Sequence, residues 1–174
     1  GVAIGDHVID LAAVFDDPDF ALPSLNAFLA RGRAHWRETR ARVTELLADA
    51  SQRNLVAPHL LERTSVTLHL PVDIGDYVDF YSSLEHATNM GRLFRPGGEP
   101  LVPSWRWLPI GYHGRAGTVV VSGTPVRRPH GERVAPGASV PVFGPSQKLD
   151  FELELGFVVG VPSEAGEPVP VDRF

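Results

Sequence analysis

Past Pro71–Gly75 the texture of the chain changes, and that change constrains its fold more than any other feature. Downstream, Pro and Gly become frequent, helical periodicity nearly vanishes, and short apolar runs such as Thr118–Ser122 stand between turn clusters. Such a stretch favours short strands, rolled or sandwiched. Upstream, Val2–Ile4 and Val8–Leu11 read as strands around Gly5-Asp6, a two-residue hairpin signal. Ser24 is placed to cap a short helix, Leu25–Ala30, stopped near Gly32. A longer helix is expected from Ala34 to Ala48, with Trp36, Val43, Leu46 and Leu47 as its apolar side. Val66–Leu70 alternates like a strand. The expected class is α+β, mostly β, divided into residues 1–72 and 73–174.

The chain has 174 residues, enough for one ordinary domain or two small ones. Its formal charge is −5, from 16 basic and 21 acidic residues, with no basic block. That balance argues against nucleic acid or an anionic membrane surface as the main partner. With 0 Cys, disulfides, zinc–thiolate sites and thiol catalysis are excluded, and any metal must be held by oxygen or imidazole. No apolar run approaches the ~20 residues of a membrane helix, and none has the form of a signal peptide. A soluble cytoplasmic protein is the expectation.

One short segment, Asp76–Arg95, gathers a carboxylate, a phenol, an imidazole and a guanidinium around a predicted helix start. Asp79 and Tyr81 are two apart in an extended run and so share a face. Ser82-Ser83-Leu84-Glu85 reads as a capping box, with Ser82 as N-cap. His86 then falls near the helix start, beside unpaired backbone N–H groups. Arg95 ends the helix before Pro96-Gly97-Gly98, either as a cation complementing the helix dipole or as a clamp on a substrate carboxylate. Tyr112 and His113 lie between glycines in Leu108–Arg115, in a tight structural turn or a binding loop. Trp105 and Trp107 share a face and are expected in the core.

Leu149–Gly160 is the clearest predicted strand. Leu149, Phe151, Leu153, Leu155, Phe157 and Val159 fill one face, and Asp150, Glu152 and Glu154 the other. Two carboxylates about 7 Å apart repel by about 0.6 kcal/mol in water and about 2.4 kcal/mol at an effective dielectric of 20. A solvated acidic face tolerates that easily. A dication would cancel the repulsion, and Glu-x-Glu with a separate Asp is an all-oxygen set of the kind Mg²⁺ or Ca²⁺ takes. The same face continues as Gly156, Val158 and Gly160, which suits a covered surface.

Four motifs in order resemble the fumarylacetoacetase family: Asp79-Phe-Tyr-Ser-Ser-x-x-His86-Ala-Thr-Asn, Leu108-Pro-x-Gly-Tyr-His-Gly-Arg-Ala116, Val121-Ser-Gly-Thr-Pro-x-Arg-Arg-Pro129 and Leu149-Asp-x-Glu-Leu-Glu154. The resemblance implies a small SH3-like N-terminal domain with helices, followed by the first part of a mixed β-roll catalytic domain. It implies hydrolysis of a carbon–carbon bond of fumarylacetoacetate, giving fumarate and acetoacetate in the last step of tyrosine and phenylalanine breakdown. By the same resemblance Asp79, Glu152 and Glu154 are metal ligands for Mg²⁺ or Ca²⁺, and His86 is the general base that activates water. Tyr81, Arg95 and Tyr112 are substrate-binding residues, and the full-length protein is a homodimer.

The family's fourth metal carboxylate, the Glu that orients its His, and the Lys and Gln of its oxyanion region have no counterpart in these 174 residues. The chain is therefore expected to be an N-terminal portion, inactive alone. Two alternatives stand beside this expectation. One is a relative in the wider superfamily acting on a different 2,4-dioxo acid as hydrolase, decarboxylase or isomerase. The other is a catalytically incomplete binding module.

Overall fold

A computed structural model describes residues 1–108 and 110–173; Pro109, in the glycine-flanked motif, and Phe174 lie outside the described residues. The chain forms two compact units, one made of Gly1–Pro71 with Val121–Phe174, the other of Val72–Val120.

The first unit opens with the expected hairpin. β1 (Val2–Ile4) pairs antiparallel with β2 (His7–Ile9), and the Gly5-Asp6 turn has positive φ only at Gly5, 55°. A turn with glycine first and positive φ there is the type II′ pattern, whose twist suits two-residue hairpins. A third strand, β3 (Leu60–Glu62), pairs with β2 and sets His7 opposite Glu62, with Nε2 and Oε1 3.2 Å apart. This strand replaces the one expected at Val66–Leu70, which makes no ladder. Leu60–Glu62 wins because its register places Leu60 against Ile9 at the core.

Asp10 caps α1 (Leu11–Val14) by accepting from the Ala12 N–H at 3.0 Å. α2 (Asn26–Ala30) starts from Leu25 rather than Ser24, and α3 (Gly32–Ala48) follows after Arg31. A short α4 (Arg53–Val56) turns the chain back toward β3. The core is Ile9, Leu11, Leu46 and Val56, with Val43 and Leu47 packed against it. Full burial of such side chains contributes about 1.5–3 kcal/mol each.

Trp36 departs from the expected apolar face of α3. Its indole Nε1–H donates to the Phe28 and Leu29 carbonyls at 3.3 and 3.1 Å, tying α3 to the end of α2. Gly160 rests against this joint: a Cβ there would lie 2.8 Å from Leu29 Cβ and 3.1 Å from Trp36 Cζ2. Arg173 secures the same stretch by donating to the Pro162 carbonyl at 2.7 Å. Beside it, Asp17 accepts from the Asp19 N–H at 3.0 Å and from Arg31 at 2.6 Å. The backbone N–H first, then the Arg31 charge, holds the Asp17 carboxyl below its usual range, against an opposing loss of solvation.

β6 (His130–Arg133) and β7 (Val142–Pro145) form an antiparallel pair. Leu149–Gly160 does not become a strand. It makes no ladder, and Phe151, Leu153 and Leu155 are 88%, 97% and 89% exposed. A strand needs a neighbour to take its N–H and C=O groups, and the described residues supply none here. Helix consequently outweighs strand among the described residues, against the expectation of a mostly-β chain. The class is a small α+β fold with short antiparallel sheets.

Candidate active site

The second unit is built on β4 (Val78–Phe80) and β5 (Gly111–His113), antiparallel with Asp79 opposite Tyr112 and Phe80 opposite Gly111. The pairing runs on at both ends: Tyr81 N–H donates to the Ile110 carbonyl and Gly114 N–H to the Tyr77 carbonyl, each at 3.2 Å. Only glycine fits at position 111. A Cβ there would overlap the Asp79 carbonyl oxygen and lie 2.7 Å from Phe80 Cβ.

Register therefore brings two expected site residues together. The Tyr112 hydroxyl donates to Asp79 Oδ2 at 2.8 Å, and the Tyr77 hydroxyl reaches the same oxygen at 3.4 Å. Asp79 Oδ1 accepts no hydrogen bond among the described residues. The hydrogen bond to Asp79 is the main cause that raises the Tyr112 pKa above its ordinary value, since it favours the neutral phenol. Lost solvation and the neighbouring Asp79 and Tyr77 charges push the same way. The Arg115 guanidinium, 5.2 Å over the Tyr112 ring, opposes them.

At the strand-to-helix corner, α5 (Leu84–Phe94) is capped by Ser83, one residue later than expected. The Tyr81 N–H still belongs to the β4–β5 ladder, so the backbone turns only beyond Ser82. Ser83 Oγ accepts from the His86 N–H at 3.3 Å and donates to Glu85 Oε2 at 3.1 Å. His86 thus sits in the first turn, with its ring 5.1 Å from that of Tyr81 at an interplanar angle of 49°.

Arg95 caps the other end of α5. Its Nη2 donates to the Pro100 carbonyl at 2.5 Å and its Nε to the Glu99 carbonyl at 3.4 Å, drawing the following loop back onto the helix. Gly91 admits that loop, because a Cβ there would overlap the Pro100 carbonyl oxygen. Tyr81, Met90, Phe94, Arg95, Trp105 and Ile110 line a hollow of about 100 Å³ within this unit. Typical small-molecule pockets are about 300–1,000 Å³, so this hollow suits one end of a small molecule. Trp105 lies beside it, half-buried, with its Nε1–H unpaired among the described residues. Trp107 is 83% exposed, contrary to its expected place in the core. The pair sits at a 3-10 turn, Pro103–Arg106, rather than on a strand, so the two rings do not share a face.

Asp79 with Tyr112, Tyr81 with His86, and Tyr81 with Arg95 are thus placed together, all inside one unit. Glu152 and Glu154 lie in the other unit, exposed in the Leu149–Gly160 stretch. Among the described residues no three His, Asp or Glu side chains are grouped to hold a metal ion. The donor chemistry nevertheless fits a hard dication: all three candidate side chains offer oxygen, and Asp79 presents one carboxylate oxygen that takes no hydrogen bond among the described residues. Tyr77 is the residue that sequence reasoning passed over. The alternation that puts Asp79 and Tyr81 on one face also puts Tyr77 there.

Two family descriptions match the chain: Fumarylacetoacetase N-terminal over residues 1–71, and Fumarylacetoacetate (FAA) hydrolase C-terminal over residues 77–170. The chain belongs to the fumarylacetoacetate hydrolase family. It is 47% identical to the fumarylacetoacetase of Caenorhabditis elegans, over 99% of this chain and 45% of that protein. The fumarylacetoacetases of Rattus norvegicus and Homo sapiens are 46% and 44% identical over the same shares. The chain thus spans about half the length of the curated relatives it matches. No helix among the described residues is long and apolar enough to cross a membrane.

Proposed function

We propose that the full-length protein containing this chain hydrolyses the C–C bond of fumarylacetoacetate to fumarate and acetoacetate. Membership of the family and the names of its relatives support the reaction class. The observation that carries the site is the corner itself: Tyr81 and His86 in ring contact, with Asp79 two residues away on the same face.

His86 is the general base. A neutral imidazole takes a proton from water near neutral pH, and the resulting hydroxide adds to the carbonyl carbon beside the bond to be cleaved. Collapse of that adduct breaks the C–C bond, its electron pair leaving as an enolate that is then protonated. Tyr81 is positioned by its contact with His86 to orient the substrate beside the base. Arg95 closes the hollow and offers a guanidinium to a substrate carboxylate, and Tyr112 holds the Asp79 side of the site. Asp79, Glu152 and Glu154 would hold Mg²⁺ or Ca²⁺, which when bound supplies a Lewis acid for the dicarbonyl oxygens. The family resemblance also supports an SH3-like first domain, a β-roll catalytic domain, a homodimer and a cytoplasmic location.

The test is His86→Ala in the full-length protein. Turnover of fumarylacetoacetate should fall by about 10²–10⁴-fold while Mg²⁺ affinity is kept. Activity retained at the wild-type level would refute the assignment of the base.

A further inference from the structure

We propose that Tyr77 is a positioning residue for the Asp79 carboxylate, holding one of its oxygens so that the other is presented to a hard cation. The inference rests on the cation role proposed for Asp79 above. Three observations carry it. Tyr112 lies directly opposite Asp79 in the β4–β5 ladder, and its hydroxyl reaches Oδ2 at 2.8 Å. Tyr77 precedes Asp79 by two residues on the same face, and its hydroxyl reaches that same Oδ2 at 3.4 Å. Oδ1 accepts no hydrogen bond among the described residues.

Rotation of a carboxylate about its last torsion is soft and roughly two-fold. A single donor leaves the group free to pivot about one hydrogen bond. Two donors on one oxygen, one from β5 and one from the residue before β4, oppose that pivot, and exchanging the two oxygens requires breaking both bonds. Tyr77 is itself held, half-buried, by the Gly114 N–H bond to its carbonyl at 3.2 Å. The asymmetry at Asp79, two donors on one oxygen and none on the other, is that of a ligand whose free oxygen is oriented by a supporting shell. Loss of such support typically weakens metal affinity by about 10–100-fold.

Calorimetric titration of Mg²⁺ into the metal-free, full-length protein tests this, comparing wild type with Tyr77→Phe and Asp79→Asn. Thermal unfolding of each metal-free protein is measured alongside. Asp79→Asn is expected to abolish binding at the site. Tyr77→Phe is expected to weaken it about tenfold with the unfolding temperature unchanged, and kcat at saturating Mg²⁺ should recover most of the wild-type value. Unaltered binding in Asp79→Asn would overturn the cation reading of Asp79 and this inference with it. Loss in Asp79→Asn with wild-type affinity in Tyr77→Phe would overturn the role of Tyr77 alone. So would a loss in Tyr77→Phe accompanied by a matching drop in unfolding temperature, which marks a merely structural hydroxyl.

Discussion

Replacing Gly111 with alanine probes the β4–β5 pairing on which the Asp79–Tyr112 contact depends. The added Cβ would overlap the Asp79 carbonyl oxygen and lie 2.7 Å from Phe80 Cβ, so backbone, not a flexible side-chain end, must move. Forced overpacking of this kind costs about 1–3 kcal/mol. A shift of even 1 Å or so would also stretch the 2.8 Å Tyr112–Asp79 hydrogen bond past useful length. The expected loss of stability is about 1–3 kcal/mol. Urea unfolding of the full-length Gly111→Ala protein measures it directly, and the Tyr112 phenol should titrate closer to its ordinary value in the variant. A change in stability below about 0.5 kcal/mol, with the Tyr112 titration unmoved, would show that the two strands do not pair in this register.

Two further outcomes follow from the same geometry. The raised pKa of Tyr112 means that its stabilising contribution is fully present below the unfolded value of about 10 and is lost as pH rises through the higher folded value. Asp79→Ala removes both the acceptor and the charge, so spectrophotometric titration should find the Tyr112 phenol moved down; an unchanged curve would sink the assigned cause. In the first unit, Gly160→Ala places a methyl group against Leu29 and Trp36 and should lower stability by about 1–3 kcal/mol, seen as a quenching or shift of Trp36 fluorescence on earlier unfolding. An alanine variant as stable as wild type would mean that this stretch does not rest on the α2–α3 joint.

Several elements are legible in the sequence because their causes are local. The Gly5-Asp6 hairpin needs only glycine's access to positive φ, and α3 needs only its length and periodicity. The start of α5 is legible to within one residue. Ser83 rather than Ser82 becomes the cap because the ladder extends to Tyr81, a constraint set by Ile110, nearly thirty residues away. Val66–Leu70 and Leu149–Gly160 alternate as strands should, yet neither forms a ladder among the described residues, because alternation specifies a face and not a neighbour to receive the hydrogen bonds. The two tryptophans depart from expectation for a related reason: a shared face requires a strand, and the chain makes a 3-10 turn there.

The same division holds at the site. The residue types, their order and the helix start beside His86 follow from the sequence alone, since they depend on neighbours one to four positions away. The tertiary structure decides which of them meet. β4–β5 register sets Tyr112 against Asp79 and requires glycine at 111. The loop over Gly91 engages Arg95 with backbone carbonyls. The Tyr112–Asp79 bond joins residues 33 apart in the chain, and only the pairing of distant backbone groups brings them within hydrogen-bonding range.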